Sequence, residues 1–409
     1  MREKITDKNI WVIYRAIFLL GLAYGISIAL IGLFLDRTGY SKEDIGSLAI
    51  WFALGIVTLS LPMGHIIRRY SARSVLIVCL FGYAVTVTMF PFLPTFGAIA
   101  AVRFFDGAFS VGVWICCETI LLSRAGDAHK AYITSLYAIA LAAGYVVGPF
   151  VSERIVAFGS MPIAFVVSGV IATMAAIMVF TSLSADAPVD GPTKALDEDA
   201  SASAGATRAE TPGLSLLYQI KTSCFATFAY GYFQASVVLF LPLYLVEAKN
   251  ISTEKTILIP GFFAAGMLLF SNVAGRLGDR YGHLRLMSIL AAIGTVMVLG
   301  FVYLDTYLAM CVAVFIAGAT LAAISPVSLA LQGVVTERRD YSRANSIYNA
   351  FYASGMLLGP YLSSRIYGLS GAKAMLFHLA GLWVAFVVFT IVFYRDDPAA
   401  TRVLPATLP

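Results

Sequence analysis

Charged residues are few in this chain. Asp, Glu, Lys and Arg make up 12% of its 409 residues, 59% are apolar, and the mean hydropathy is +0.84. Soluble domains carry roughly 25% charge, so this composition excludes an ordinary soluble protein. No Gly-Lys pair occurs, which excludes the phosphate-cradling G-x-x-x-x-G-K-[ST] loop of an ATP-driven pump. H-E-x-x-H and G-x-S-x-G are also missing, and none of His65, His129, His283 and His378 is followed by an acid. The chain therefore reads as a non-enzyme. Cysteine is limited to Cys79, Cys116, Cys117, Cys224 and Cys311, all inside apolar runs and without metal-ligand spacing. They are expected to be structural thiols, with no metal and no cofactor. The net charge of +5 comes from residues scattered among short segments and forms no dense stripe, which argues against a nucleic-acid partner.

Long apolar runs are what the chain has in abundance. A helix crossing the hydrocarbon layer needs about 20 apolar residues. Twelve such runs lie near 11–35, 44–66, 74–94, 96–122, 131–152, 162–183, 216–246, 256–275, 285–304, 307–334, 343–366 and 374–394. Each is continuously apolar, whereas barrel strands alternate over about ten residues, so an all-α membrane protein in a lipid bilayer is expected. The first run is too long for a signal h-region and is expected to be a retained span. With the N-terminus inside, nineteen Lys and Arg residues fall on the inner side and seven on the outer side. By the positive-inside rule both termini are then cytoplasmic and the protein crosses the cell inner (plasma) membrane many times.

Between Ser184 and Gly213 the composition shifts abruptly to Ala, Ser, Pro, Gly and acid. This predicts a disordered cytoplasmic linker over 184–213. It divides an N-terminal six-helix bundle, 1–183, from a C-terminal six-helix bundle, 214–398, which is followed by a cytoplasmic tail, 399–409. The bundles repeat at an offset of 211: Asp36 and Ser41 align with Glu247 and Ser252, Gly107 with Gly318, and Tyr137 with Tyr348. Gly144, Gly148 and Pro149 in GYVVGPFVSERI align with Gly355, Gly359 and Pro360 in GMLLGPYLSSRI. Twelve transmembrane helices in two pseudo-symmetric halves follow.

The stretch GRLGDRYGHLR sets Gly275, Asp279, Arg280 and Gly282 in the spacing G-x-x-x-D-R-x-G. GHIIRRYS, from Gly64 to Ser71, is a degenerate copy that aligns Arg69 with Arg280 and Tyr70 with Tyr281. Over essentially the whole chain, this motif, the repeat and the central linker resemble the major facilitator superfamily of membrane transporters. The resemblance implies alternating access around a midplane site between the halves, with a small-molecule substrate and a proton as coupling ion; a monomer is expected. Gly275 is expected to let helices approach closely. Asp279 is expected to sit against a helix N-terminus, where the dipole favours an anion by about 0.3–1 kcal/mol; the resemblance makes that helix the fifth span. In the earlier copy Arg68 replaces the acid, so Arg68 or Arg69 is expected to pair with Glu337 or Asp340 in a charge-inverted gate. The two GxxxGP segments resemble a motif associated with antiporters. Glycines four apart make a close-packing face, and proline bends the helix.

Span four carries a polar stripe. Arg103, Asp106, Ser110, Trp114, Cys117 and Glu118 fall at helical spacing. Arg103 and Gly107 resemble the family's R-x-x-x-G motif, with Asp106 where glutamine is often found. Asp106 is expected about 15 Å from the outer end, near mid-bilayer. Ionisable residues there are costly and mark functional sites, so Arg103 and Asp106 are candidates for proton coupling. Glu118, one turn from the inner end, is a further candidate; pairing with Arg124, His129 or Lys130 is its favoured role. The resemblance has spans one, four, seven and ten line the cavity. They offer Tyr24 and Ser27, then Ser110 and Trp114, then Tyr230 and Gln234, then Ser325, Ser328 and Gln332. Span eleven adds Asn345, Tyr348, Asn349 and Tyr352. A wall of aromatics and amides suits an amphipathic organic molecule. Proton-coupled antiport exporting such a molecule is the favoured function; proton-coupled uptake of a small metabolite and a non-transporting receptor are the alternatives.

Overall fold

The computed structural model describes residues 7–124, 130–184, 212–337 and 340–397. Most of the expected linker, the expected tail, His129, Arg338 and Arg339 lie outside the described residues, as do the side chains of Arg68, Lys130 and Asp279. Every regular element among the described residues is helical. In chain order they are α1 (Lys8–Arg37), α2 (Lys42–Tyr70), α3 (Ala72–Met89), α4 (Phe96–Arg124), α5 (Lys130–Phe158), α6 (Met161–Ser182) and α7 (Gly213–Lys249). Then come α8 (Thr253–Ile257), α9 (Ile259–Tyr281), α10 (His283–Phe301), α11 (Tyr307–Leu321), α12 (Ile324–Val335), α13 (Tyr341–Ser370) and α14 (Ala372–Val392).

Eleven helical stretches among the described residues are long and apolar enough to cross a bilayer. The twelfth expected span is α13. Its 30 residues give about 45 Å of helix, but Arg343, Asn345 and Asn349 dilute its apolar character. Spans eight and ten, expected as continuous, are each built from two helices. Proline explains both breaks, because its ring clashes with the carbonyl four residues back and it donates no backbone hydrogen bond. Pro260 stands second in α9 just after the end of α8, and Pro326 stands third in α12 just after Ala322 and Ala323.

Contacts divide the chain into two compact units, Met1–Ala206 with Val238–Gly261, and Thr207–Val237 with Phe262–Pro409. In the first, α1 packs on α5 and α6, α2 on α4, and α3 on α4 and α6, while the short α8 lies against α5 and α1. A methyl on Gly148 would sit 2.5 Å from Gly25 Cα, and one on Gly144 2.5 Å from Phe18 O, so α1 and α5 touch backbone to backbone. In the second, α10 packs on α14, α11 and α12, and α13 packs on α14. A methyl on Gly355 or Gly359 would meet Phe228 O at 2.2 Å or Tyr232 O at 2.4 Å, which places α13 equally close to α7.

The offset of 211 recurs in this packing. A methyl on Gly55 would lie 1.9 Å from Phe104 O, and one on Gly266 2.1 Å from Phe315 O; for Gly107 and Phe52 O the distance is 2.0 Å, for Gly318 and Phe263 O 2.1 Å. Each second pair is the first with 211 added to both numbers. The same helix crossing is therefore built twice.

Candidate functional site

From Arg103 to Ser110 the polar stripe of α4 is buried in the first unit. Arg103 is 8% exposed, Asp106 7% and Ser110 fully enclosed. The Arg103 guanidinium is ion-paired with Asp106 Oδ2 and lies 4.4 Å above the Phe52 ring, so a cation is held between a carboxylate and an aromatic face. The pair borders a cavity of about 40 Å³ that Tyr24, Ser27, Phe52 and Tyr83 also line, with Ile28, Ile31, Val87, Phe90 and Phe165 completing its apolar wall. A single water needs roughly 10–15 Å³ of such volume, so the cavity admits water-sized groups.

Aromatic rings crowd one end of this site. Tyr24 lies 4.7 Å from Tyr83, stacks on Tyr145 at 5.9 Å and tilts toward Trp114 at 6.2 Å. Ser27 Oγ is 3.2 Å from Tyr83 Oη. Asp106 Oδ1, Tyr24 Oη, Ser110 Oγ, Trp114 Nε1 and Tyr137 Oη are buried without a hydrogen-bond partner among the described residues. A buried polar group left unpaired costs about 1–3 kcal/mol. Asp106 and Tyr24 line the same cavity, and leaving Asp106 Oδ1 and Tyr24 Oη unpaired there is expensive unless a bound molecule or a proton uses them.

Sequence reasoning singled out Arg103, Asp106, Tyr24, Ser27, Ser110 and Trp114 on α1 and α4, and the fold brings these together. It missed Phe52, Tyr83 and Tyr145. One tyrosine in an otherwise apolar span carries no periodic signal, and only the partner hydroxyl of Ser27 marks Tyr83. Of the expected partners of Glu118, His129 and the side chain of Lys130 lie outside the described residues, and Arg124 is paired elsewhere. Glu118 is exposed and makes no ion pair with a described residue, while Arg124 Nη1 lies 3.1 Å from Asp7 Oδ2. Asp7 caps α1 by accepting from Asn9 N at 2.8 Å. Burial pushes its carboxyl up, but the Asn9 amide and Arg124 outweigh that and hold it below its ordinary value.

In the second unit, Tyr348 Oη lies 2.8 Å from Ser328 Oγ and donates to Ser325 O at 3.1 Å. Tyr352 donates to Gln234 Oε1 at 3.0 Å and its ring lies 6.1 Å from Tyr230. Gln332 is buried with an unpartnered Oε1, and Asn345 and Asn349 are exposed. These residues thus form their own patch on α7, α12 and α13.

Of the gate residues, Arg69 lies 5.4 Å from the Tyr70 ring and Arg280 5.2 Å from the Tyr281 ring, the same contact at both copies. A methyl on Gly275 would meet no atom of a described residue within 4 Å, so the expected close approach is not made among the described residues. Gly282 has φ 95 and begins α10. Asp340 is buried, with Arg343 Nη1 3.7 Å away, and Glu337 is exposed.

Comparison with known proteins agrees with this architecture. The multi-drug resistance efflux pump PmrA of Streptococcus pneumoniae serotype 4 is 21% identical over 406 residues, covering 97% of this chain and 98% of the pump. The uncharacterized MFS-type transporter MJ1560 of Methanocaldococcus jannaschii is 20% identical over 367 residues, covering 86% and 89%. Among solved structures, the nucleoside transporter NupG superposes with a TM-score of 0.75 at 15% identity, covering 95% of this chain and all of that one. A bacterial homolog of the human lysosomal transporter Spinster, inward-facing and occupied, gives 0.75 at 12% identity, covering 97% and 98%. The Major Facilitator Superfamily model matches residues 13–221 and 223–408, and with this the chain belongs to that superfamily of multi-pass membrane transporters.

Proposed function

We propose that this protein is a proton-coupled antiporter that exports an amphipathic small organic molecule. The carrying observation is the buried Arg103–Asp106 pair at a small cavity, with Asp106 Oδ1 unpartnered. Desolvation disfavours the charge on a carboxylate while a guanidinium favours it. Protonating Asp106 frees Arg103, and a hydrogen-bond donor of the substrate that takes the ionised Asp106 carboxylate does the same, so proton and substrate compete for one carboxylate. Aromatic rings beside unpaired hydroxyl and indole groups suit a molecule with an apolar body and a few hydrogen-bonding groups. Similarity to the efflux pump PmrA supports export, and the paired GxxxGP segments support antiport. In this reading both termini are cytoplasmic, the Tyr230–Gln234–Tyr352 patch supplies the second wall, and the inner gate uses Asp279 on one side and Arg68 or Arg69 with Glu337 or Asp340 on the other.

The test is proton flux in proteoliposomes of purified protein, challenged with ethidium, sugars and organic acids. Wild type is expected to release protons from the trans compartment with an amphipathic solute only. Asp106→Asn is expected to reach wild-type amounts, retain solute counterflow and lose the proton flux. Lower protein amounts with coupling intact would make the pair a structural one. Flux in the inward direction would favour uptake, and no solute-driven flux would favour a receptor.

A further inference from the structure

One imidazole in the second unit lies within a span and takes no part in the reading above. His378 is half-buried on α14, about two turns from its start. Its Nδ1 is 2.6 Å from Met375 O. A carbonyl only accepts, so Nδ1 carries a hydrogen whatever the charge on the ring. Its Nε2 is 3.0 Å from Tyr232 Oη on α7 and 3.4 Å from Ser363 Oγ on α13. The Ser363 hydrogen is committed elsewhere: Ser363 donates to Ser236 Oγ at 2.9 Å, and Ser236 donates to Tyr232 O at 2.7 Å. In the neutral ring, Tyr232 therefore donates to Nε2. A proton added at Nε2 finds two oxygens with spare lone pairs already beside it, those of Tyr232 and Ser363.

The surrounding helices bring no competing charge into contact. On α14 the other charged residue is Lys373, nearer the helix start and exposed; on α13 they are Arg343, in its first turn, and Arg365, exposed and 4.9 Å from the Tyr361 ring. Tyr361 and Tyr367 are that helix's nearby titratable groups. On α10, His283 and Arg285 stand at its first turn. On α7, Lys221 is ion-paired with Asp396, and Glu247 and Lys249 lie in the last turn.

Packing alone does not require this network. The residues 211 positions earlier are Gly21, Gly25, Ser152 and Val167, and there the first unit closes α1 on α5 with glycine backbone. The polar version exists in one half only. It also sits at a useful place, because Tyr232 is on the side of α7 opposite Tyr230 and Gln234, the residues that meet Tyr352.

We propose that His378, held between Tyr232 and Ser363, is a second proton-binding site, in the C-terminal half, whose occupancy reverses the Tyr232 hydrogen bond behind α7. This goes beyond the Asp106 reading and holds whichever way solute moves.

The experiment is nuclear magnetic resonance of histidine-nitrogen-labelled full-length protein in liposomes, with His378→Gln assigning the signal. At about pH 8.5 the expected form is neutral with hydrogen on Nδ1; on lowering the pH it becomes doubly protonated. Ser363→Ala removes an oxygen that serves only the charged ring, so proton affinity is expected to fall roughly three- to tenfold. Gain of the Nε2 proton unchanged in Ser363→Ala, a hydrogen on Nε2 with Nδ1 bare at high pH, or a ring still neutral at about pH 4.5 would each overturn the proposal. The tautomer and titration of wild type decide the matter if Ser363→Ala fails to fold. Activity is not read, so failure here leaves the Asp106 assignment standing.

Discussion

At the scale of single residues, the two copies share an unusual backbone conformation but not the residue type that suits it. Gly282 adopts φ 95 and ψ 133, and its repeat mate Ser71 adopts φ 70 and ψ 145. That region is essentially reserved for glycine and costs another residue of order 1–3 kcal/mol. Ser71 recovers part of this as the N-cap of α3, accepting from Ser74 N at 3.4 Å, but replacing a cap residue with glycine costs only a few tenths of a kcal/mol. Ser71→Gly is therefore expected to stabilise by about 1 kcal/mol and Gly282→Ala to destabilise by about 1–3 kcal/mol. Thermal unfolding of the purified variants in detergent reads both, and a loss of stability in Ser71→Gly would refute the strain. The motif made Gly282 legible in the sequence, whereas Ser71 is recognisable as strained only once the offset pairs the two. The Arg103–Asp106 pair was legible for another reason: two opposite charges three apart in an oily helix have few partners but each other. Phe52 and Tyr83 were not, since aromatic residues are ordinary in a span and only the packing of α2 and α3 on α4 brings them to the pair.

At the scale of elements, the repeat is carried by glycines that admit a neighbouring backbone. An alanine at Gly55 would put its methyl 1.9 Å from Phe104 O, and at Gly266 2.1 Å from Phe315 O. Neither obstacle is a flexible side chain that can turn aside, so overpacking of about 1–3 kcal/mol is expected for each substitution. A methyl on Gly333 of α12 would meet no atom of a described residue within 4 Å; there alanine is expected to gain up to about 1 kcal/mol from helix propensity. Apparent melting temperatures of the three variants check this, and equal effects at Gly55 and Gly333 would sink it. Helix existence was readable from apolar runs because a bilayer demands length and continuity. The breaks after α8 and α11 were not, because a run counted by hydropathy hides the backbone consequence of Pro260 and Pro326. The polar content of α13 misleads hydropathy in the opposite sense: Arg343, Asn345 and Asn349 lower its mean although the helix is 30 residues long.

At the scale of the whole molecule, one end of the first unit holds a segment that the sequence assigns to the C-terminal bundle. Val238–Gly261 belongs to this unit by its contacts. A methyl on Gly32 of α1 would lie 2.4 Å from Leu239 O. Lys42 is ion-paired with both Asp36 and Glu247, which are repeat mates, and Arg37 donates to Thr253, the repeat mate of Lys42. Because Thr253 carries no charge, one lysine serves both acids. Detaching this segment from the rest of the first unit breaks the ion pair of Lys42 with Glu247, so Lys42 opposes it. These groups are partly exposed, so the pair contributes only about 0.2–1 kcal/mol, which is up to roughly fivefold in an equilibrium. All five native cysteines are buried, so a single cysteine at the fully buried Leu243 reports detachment to a membrane-impermeant maleimide. Lys42→Ala is expected to speed labelling of Leu243→Cys within that range. High salt is expected to speed labelling with Lys42 present and to have little effect in its absence, since partly exposed pairs are screened within about 10 Å at 0.1 M ionic strength. Unchanged labelling in Lys42→Ala would mean that the backbone contact at Gly32 holds the segment by itself. In that event Gly32→Ala, which pushes Leu239 away, is the substitution expected to open it.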